Sequence, residues 1–129
     1  MPVTVLVVDD EANVASMMRM VLESDGYEVA VARSAAEAMA LFGSQTFDVV
    51  VTDMRMESAT SGYEVARAAS TLAGDPAIIL LTGFPLPSRD WRQSGAHAML
   101  QKPVPIAKLL EALHEVLAQR AARRQQDQK

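Results

Sequence analysis

Short, nearly continuous apolar runs alternate along the chain with stretches whose apolar positions recur every three or four residues. Val3 to Val8 is β-branched and stops abruptly at Asp9-Asp10-Glu11. Such a run predicts a strand covered on both faces, as in a parallel sheet. Val14, Met17, Met18, Val21 and Leu22 make one helical stripe, ended by Asp25-Gly26. Tyr27 to Ala32 is a weaker strand. Ser34-Ala35-Ala36-Glu37 has the form of a capping box and opens a helix through Met39, Leu41 and Phe42 to Gly43. Phe47 to Thr52 predicts a third strand, ending in Asp53. A polar, small-residue loop spans 54–62, and a short helix from about Tyr63 to Leu72 is broken by Gly74-Asp75-Pro76. Ala77 to Leu81 is the purest buried strand and leads into Thr82-Gly83-Phe84-Pro85. A weak helix around Ser88 to Ser94 has little apolar content. After Gly95, His97 to Gln101 is a short strand closed by Lys102-Pro103. Ile106, Leu109, Leu110, Leu113, Val116 and Leu117 then form a strong amphipathic helix.

Strand and helix thus alternate five times. Parallel strands need crossovers, and right-handed crossovers place helices on both faces of the sheet. The pattern predicts an α/β fold: a doubly wound, five-stranded parallel sheet with five helices. Ligands in such sheets collect at the carboxyl ends of the strands.

Composition narrows the chemistry. In 129 residues, half hydrophobic and 22% charged, there is material for one domain and one core. The absence of cysteine excludes disulfides, cysteine-ligated metals and a thiol nucleophile. A net charge of −4 does not indicate a nucleic-acid surface. No run approaches the roughly 18 apolar residues of a membrane span, and no basic leader precedes an apolar segment. A cytoplasmic location, with neither membrane nor direct nucleic-acid contact, is the expectation.

The informative residues follow the strands. Asp9, Asp10 and Glu11 come after the first, Asp53 after the third, Thr82 after the fourth and Lys102 after the fifth. The first turn has no G-x-G-x-x-G, and no G-x-x-x-x-G-K-[ST] occurs, so neither a dinucleotide fingerprint nor a P-loop is present. Clustered carboxylates resist joint ionisation unless a cation enters. Oxygen-only ligands of high negative charge select a hard divalent ion, so Asp9, Asp10 and Asp53 suggest a Mg²⁺ site. A lysine ammonium and a threonine hydroxyl beside it are donors suited to a phosphoryl group. A carboxylate can act as nucleophile and form an aspartyl phosphate, and Asp53 occupies the central position for that role. Each residue also has a plainer reading: helix capping by Asp9, Asp10 and Glu11, turns at Asp53 and Thr82, an exposed lysine at Lys102. The ordered set is what favours chemistry.

Val7-Val8-Asp9-Asp10-Glu11, Val51-Thr52-Asp53-Met54-Arg55-Met56, Leu80-Leu81-Thr82-Gly83 and Gln101-Lys102-Pro103 together resemble the receiver domain of the two-component response-regulator family. The resemblance spans about Val3 to Ala118. It implies a flavodoxin-like fold of strand order 2-1-3-4-5. It implies that Asp53 accepts a phosphoryl group from a sensor histidine kinase or phosphotransfer protein. Asp10, Asp53 and the backbone carbonyl of Arg55 would ligate Mg²⁺ or Mn²⁺, with Asp9 acting through water. Lys102 would contact the phosphoryl group and Thr82 would swing toward it. The Lys102–Pro103 bond would be cis. Downstream proteins would meet the face of helix four, strand five and helix five, roughly Leu86 to Leu117, and a phosphorylation-linked dimer is allowed. Beyond self-phosphorylation and slow self-dephosphorylation, no enzyme activity is implied.

Three departures stand out. Met99 occupies the position, three before the lysine, where the family usually has an aromatic switch residue. Glu57 stands where a proline is frequent. The loop from Asp53 to Gly62 looks about one residue longer than usual. Arg55 and Phe84 lie two beyond Asp53 and Thr82, positions that influence aspartyl-phosphate lifetime in the family.

Residues 119–129 carry four basic side chains and one acid, net +3, against −7 for the first 118. They read as a solvated helix extension first, and otherwise as a linker or an anionic docking patch. The leading function is a stand-alone phosphoacceptor receiver or phosphorelay intermediate in signal transduction. A degenerate receiver that binds partners without phosphorylation is the alternative. A small aspartate-nucleophile phosphatase ranks last, because Arg55 replaces the second acid of the D-x-D pattern.

Overall fold

The computed structural model describes residues 2–84 and 86–127; Met1, Pro85, Gln128 and Lys129 lie outside it. Among the described residues ten elements alternate: β1 (Thr4–Val8), α1 (Ala12–Ser24), β2 (Glu28–Ala32), α2 (Ala35–Phe42), β3 (Val49–Asp53), α3 (Ser61–Ser70), β4 (Ala77–Thr82), α4 (Ser88–Gln93), β5 (Ala98–Gln101) and α5 (Ile106–Asp127). All four strand pairings are parallel, in the order β2-β1-β3-β4-β5. The fold class and strand order are those expected from the sequence.

The side-chain period of two divides each strand between two cores. Val5, Val7, Val49, Val51, Ile79 and Leu81 face α1 and α5, meeting Met18, Leu22, Leu109, Leu113 and Val116. Leu6, Val8, Val50, Ile78 and Leu80 face the other way, onto Val65, Ala66 and Ala69 of α3, Ala38 of α2 and Trp91 of α4. Trp91 is why the apolar-poor α4 still docks: one ring is buried among otherwise exposed neighbours.

The α2 terminus follows the capping-box reading with one variation. The Glu37 amide donates to Ser34 Oγ at 3.1 Å, while the Glu37 carboxylate accepts from the amide of Arg33 rather than that of Ser34. The α3 helix begins two residues earlier than the periodicity suggested, because Ser61 and Gly62 are buried in its first turn.

At the amino-terminal edge of the sheet, α5 continues well past Leu117. The guanidinium of Arg120, 9% exposed, donates to the Asp48 carboxylate at 2.9 Å and to the carbonyls of Gly74 and Asp75 at 3.0 Å each. Arg123 pairs with the Asp75 carboxylate at 3.3 Å. Of the 119–129 tail, residues 119–127 are helical within α5 and 128–129 lie outside the described residues; Arg120 there is a buried clamp and not a solvated side chain. Burial opposes ionisation of Asp48, but bonds from Thr4 and Arg120 prevail and hold its carboxyl below the usual range. Removing this guanidinium leaves Asp48 and two carbonyls short of donors. We expect Arg120→Met to cost about 1–3 kcal/mol, read from chemical denaturation.

His97 sits on the same edge. Its Nδ1 accepts the Ile78 amide at 3.0 Å, and its own amide donates to the Ile78 carbonyl at 2.8 Å. Burial, and then the charge of Arg123, push the imidazole pKa below its ordinary value. The folded protein therefore takes up a proton at His97 less readily than the unfolded chain, whose imidazole titrates near about pH 6.5. Stability is complete above that pH and falls below it, by at most about 1.4 kcal/mol per pH unit for one proton. His97→Asn offers a carbonyl oxygen in place of Nδ1. Melting curves from about pH 7.5 to about pH 5.5 should show a shallower decline for the variant than for the parent; parallel curves would contradict this.

Candidate functional site

The strand register brings the carboxyl ends into line. Val8 pairs with Thr52, Asp53 with Leu81, and Thr82 with Gln101. Pairing continues one residue beyond the strands: the Asp9 amide donates to Ala32, that of Met54 to Leu81 and that of Lys102 to Thr82, at 2.7–3.0 Å. The backbones of Asp9 and Lys102 and the peptide after Asp53 are therefore fixed by the sheet and not by loops.

Asp9, Asp10 and Asp53 meet there, with one carboxylate oxygen of each within 4.8 Å of the others. Asp9 is fully buried and Asp53 is 7% exposed, whereas Asp10 opens to solvent. Lys102 lies between the buried pair, its Nζ 3.1 Å from Asp9 Oδ2 and 3.2 Å from Asp53 Oδ2. The second Asp9 oxygen accepts the Glu11 amide at 2.9 Å. The α1 terminus itself has no side-chain cap, and no acid lies in its first turn. The plain capping role is thus not what these acids perform.

The charges do not balance. Burial pushes the Asp53 carboxyl above its usual range, and Lys102 opposes that shift without cancelling it. Burial also acts to lower Lys102, yet Asp53 and Asp9 together hold its ammonium above its ordinary pKa. Two buried carboxylates and a third at the mouth share one cation. An all-oxygen set with excess negative charge and one open side fits a hard divalent ion that keeps part of its water. The chemistry of the donor set therefore suits Mg²⁺ or Mn²⁺.

Thr82 is 2% exposed, and its hydroxyl donates to the Phe84 carbonyl at 2.8 Å while accepting the Phe84 amide at 3.2 Å. It is committed to its own turn and not to the acids. Above the turn, the Arg55 guanidinium lies 5.8 Å from the centre of the exposed Phe84 ring, bridging the loops after β3 and β4. Met99 is half-buried against the core that contains Trp91 and Ala96. The Lys102–Pro103 bond is cis.

Gly62 was legible only as a loop residue, yet it touches the site. Its amide donates to the Met54 carbonyl, and a Cβ there would lie 2.6 Å from the Asp53 carbonyl oxygen and from the Met54 Cα. Backbone stands on backbone, so neither side can yield cheaply. Gly62→Ala should cost about 1–3 kcal/mol and weaken divalent-ion binding, as checked by thermal melts with and without Mg²⁺. In the parent protein, Mg²⁺ at about a hundred times its Kd should add about 2.7 kcal/mol of stability. Asp10→Asn and Asp53→Asn should abolish most of that gain.

The chain matches the family model for the response regulator receiver domain over residues 5–114. It is 31% identical over 121 residues to the transcriptional regulatory protein GlrR of Escherichia coli, covering 93% of this chain and 27% of that one. It spans between about a quarter and a half of the length of such curated relatives. Among solved structures, a CheY-like receiver domain protein from Methanospirillum hungatei superposes with a TM-score of 0.87 at 27% identity, covering 95% and 99% of the two chains. The response regulator TrrA of Thermotoga maritima, solved in complex with Mg²⁺–BeF, gives 0.78 at 32% identity over 88% and 98%.

Proposed function

The chain belongs to the response regulator receiver domain family, and on that premise we propose that it accepts a phosphoryl group on Asp53 from a phosphohistidine. The observation that carries this reading is the placement of Lys102 Nζ between Asp9 and Asp53, with Asp10 completing an acid set open on one side. A carboxylate oxygen of Asp53 attacks the phosphorus. The new P–O bond forms as the P–N bond breaks, and the electron pair stays with the imidazole nitrogen of the donor. Lys102 needs no long journey, because an ammonium held between two carboxylates can turn to the arriving phosphoryl oxygens. Asp10, Asp53 and the carbonyl of Arg55 would hold Mg²⁺ or Mn²⁺, with Asp9 behind a water. When bound, the ion would supply positive charge to the phosphoryl oxygens.

Thr82 must abandon the Phe84 carbonyl to donate to the phosphoryl group. That exchange would pull on the turn through Phe84 and so on the start of α4. Met99 gives the surrounding core a flexible side chain able to repack around such a movement. The output would be altered protein contact on the α4–β5–α5 face, with no catalysis beyond self-phosphorylation and slow self-dephosphorylation. That a 32%-identical response regulator was solved in complex with Mg²⁺–BeF supports a divalent ion as the expected ligand class.

Incubation with acetyl phosphate and Mg²⁺, followed by intact-protein mass spectrometry, tests the reading. One added phosphoryl group is expected, absent without Mg²⁺ and absent in Asp53→Asn. No adduct at any time point would instead favour a module that binds partners without phosphorylation.

A further inference from the structure

Two loops carry the proposed cation ligands: the turn after β1, with Asp10, and the loop after β3, with the Arg55 carbonyl. Both are tied to one short segment that the reading above leaves unused. On one side, Nη2 of Arg33 donates to the backbone carbonyl of Asp10 at 3.0 Å, across 23 residues. On the other, the amide of Ala35 donates to the carboxylate of Glu57 at 2.9 Å, across 22 residues. Between them the segment is locked internally. The Arg33 amide donates to Glu37 Oε1 at 3.3 Å, and the Glu37 amide to Ser34 Oγ at 3.1 Å.

We propose that residues 33–35 act as a bracket, with Arg33 and Glu57 as positioning residues that hold Asp10 and the Arg55 carbonyl loop in register for a divalent cation. The inference rests on the cation site of the preceding reading.

The physics favours a bracket over a surface coincidence. Glu57 satisfies an amide that the first turn of α2 would otherwise leave to water, and its charge sits at the positive end of that helix. Ser34 takes a second such amide, so the α2 terminus is a firm anchor. Past the Met54 amide bond to Leu81 and the Arg55–Phe84 contact, the hydrogen bonds of the 56–60 stretch are local, such as the Ser58 amide to Ser61 Oγ and the Met56 amide to the Ser58 carbonyl. Glu57 is what fastens it to a helix elsewhere in the fold. Arg33 performs the matching task for Asp10, whose side chain is exposed and lacks the ammonium contact that Asp9 enjoys. Groups that orient metal ligands commonly govern affinity without touching the ion.

The test is a Mn²⁺ binding isotherm, with free ion followed by electron paramagnetic resonance, so no phosphoryl chemistry enters. Charge and geometry act with opposite signs at Arg33. Loss of a nearby cation would tighten Mn²⁺ binding, whereas loss of the bracket would loosen it. We expect Arg33→Ala to raise Kd about tenfold and Arg33→Lys to restore part of the affinity. Glu57→Ala should raise Kd similarly, while Glu57→Gln, which keeps an oxygen acceptor and loses the charge, should stay close to the parent. Amide hydrogen exchange at Ala35 should quicken in Glu57→Ala and not in Glu57→Gln. Tighter binding by Arg33→Ala, or unchanged binding by both alanine variants while the parent binds Mn²⁺, would overturn the bracket alone. A parent protein that binds no Mn²⁺ would overturn the cation site and the bracket with it.

Discussion

One ammonium shared by two buried carboxylates is the constraint on which the rest of this molecule depends. Asp9 and Asp53 are withdrawn from water, and Lys102 supplies a single positive charge to both. Buried charge is tolerated only when paired and hydrogen-bonded. Here the pairing stops one charge short, and burial, helped by the neighbouring Asp9 charge, keeps the Asp53 carboxyl raised despite Lys102. A site left in this state costs stability, and its excess negative charge is of the kind that a divalent cation would neutralise.

The fold exists to hold that imbalance still. Side chains projecting from loops would drift apart under mutual repulsion. Asp9, Asp53 and Lys102 instead project from a sheet ladder whose hydrogen bonds run one residue past β1, β3 and β5. Beneath them, β1, β3 and β4 are apolar on both faces and sealed by α1 and α5 on one side and by α2, α3 and α4 on the other. At the opposite edge, Arg120 and Arg123 lock α5 to Asp48 and Asp75. One edge is closed with its charges paired, and the other is left chemically open.

Much of this was legible in the sequence, for reasons that are themselves physical. Strands buried on two faces must be continuous apolar runs, so β1, β3 and β4 announce themselves. Residues after parallel strands must converge, so the order Asp9-Asp10, Asp53, Thr82, Lys102 places a site before any coordinates are known. Contacts that depend on reach are harder to see. Arg33 and Glu57 cross 23 and 22 residues with long side chains and leave no periodic trace. Gly62 looks like any loop glycine until the Asp53 carbonyl is found against it. Arg120 did leave a sign: it falls four residues after Val116, on the buried stripe of α5. Its charge and the polar run around it pointed to solvent instead. That Thr82 is bonded to Phe84, and not to the acids, depends on a rotamer that sequence does not encode.

The charge imbalance at Lys102 is the central claim, and metal affinity in its absence tests it most directly. Mn²⁺ binding should be compared between the parent protein and Lys102→Met. If the ammonium is a partial counter-charge that competes with the ion, the variant will bind Mn²⁺ more tightly. Weakened or abolished binding would contradict the account, since Lys102 would then be scaffolding that the acid cluster needs in order to form.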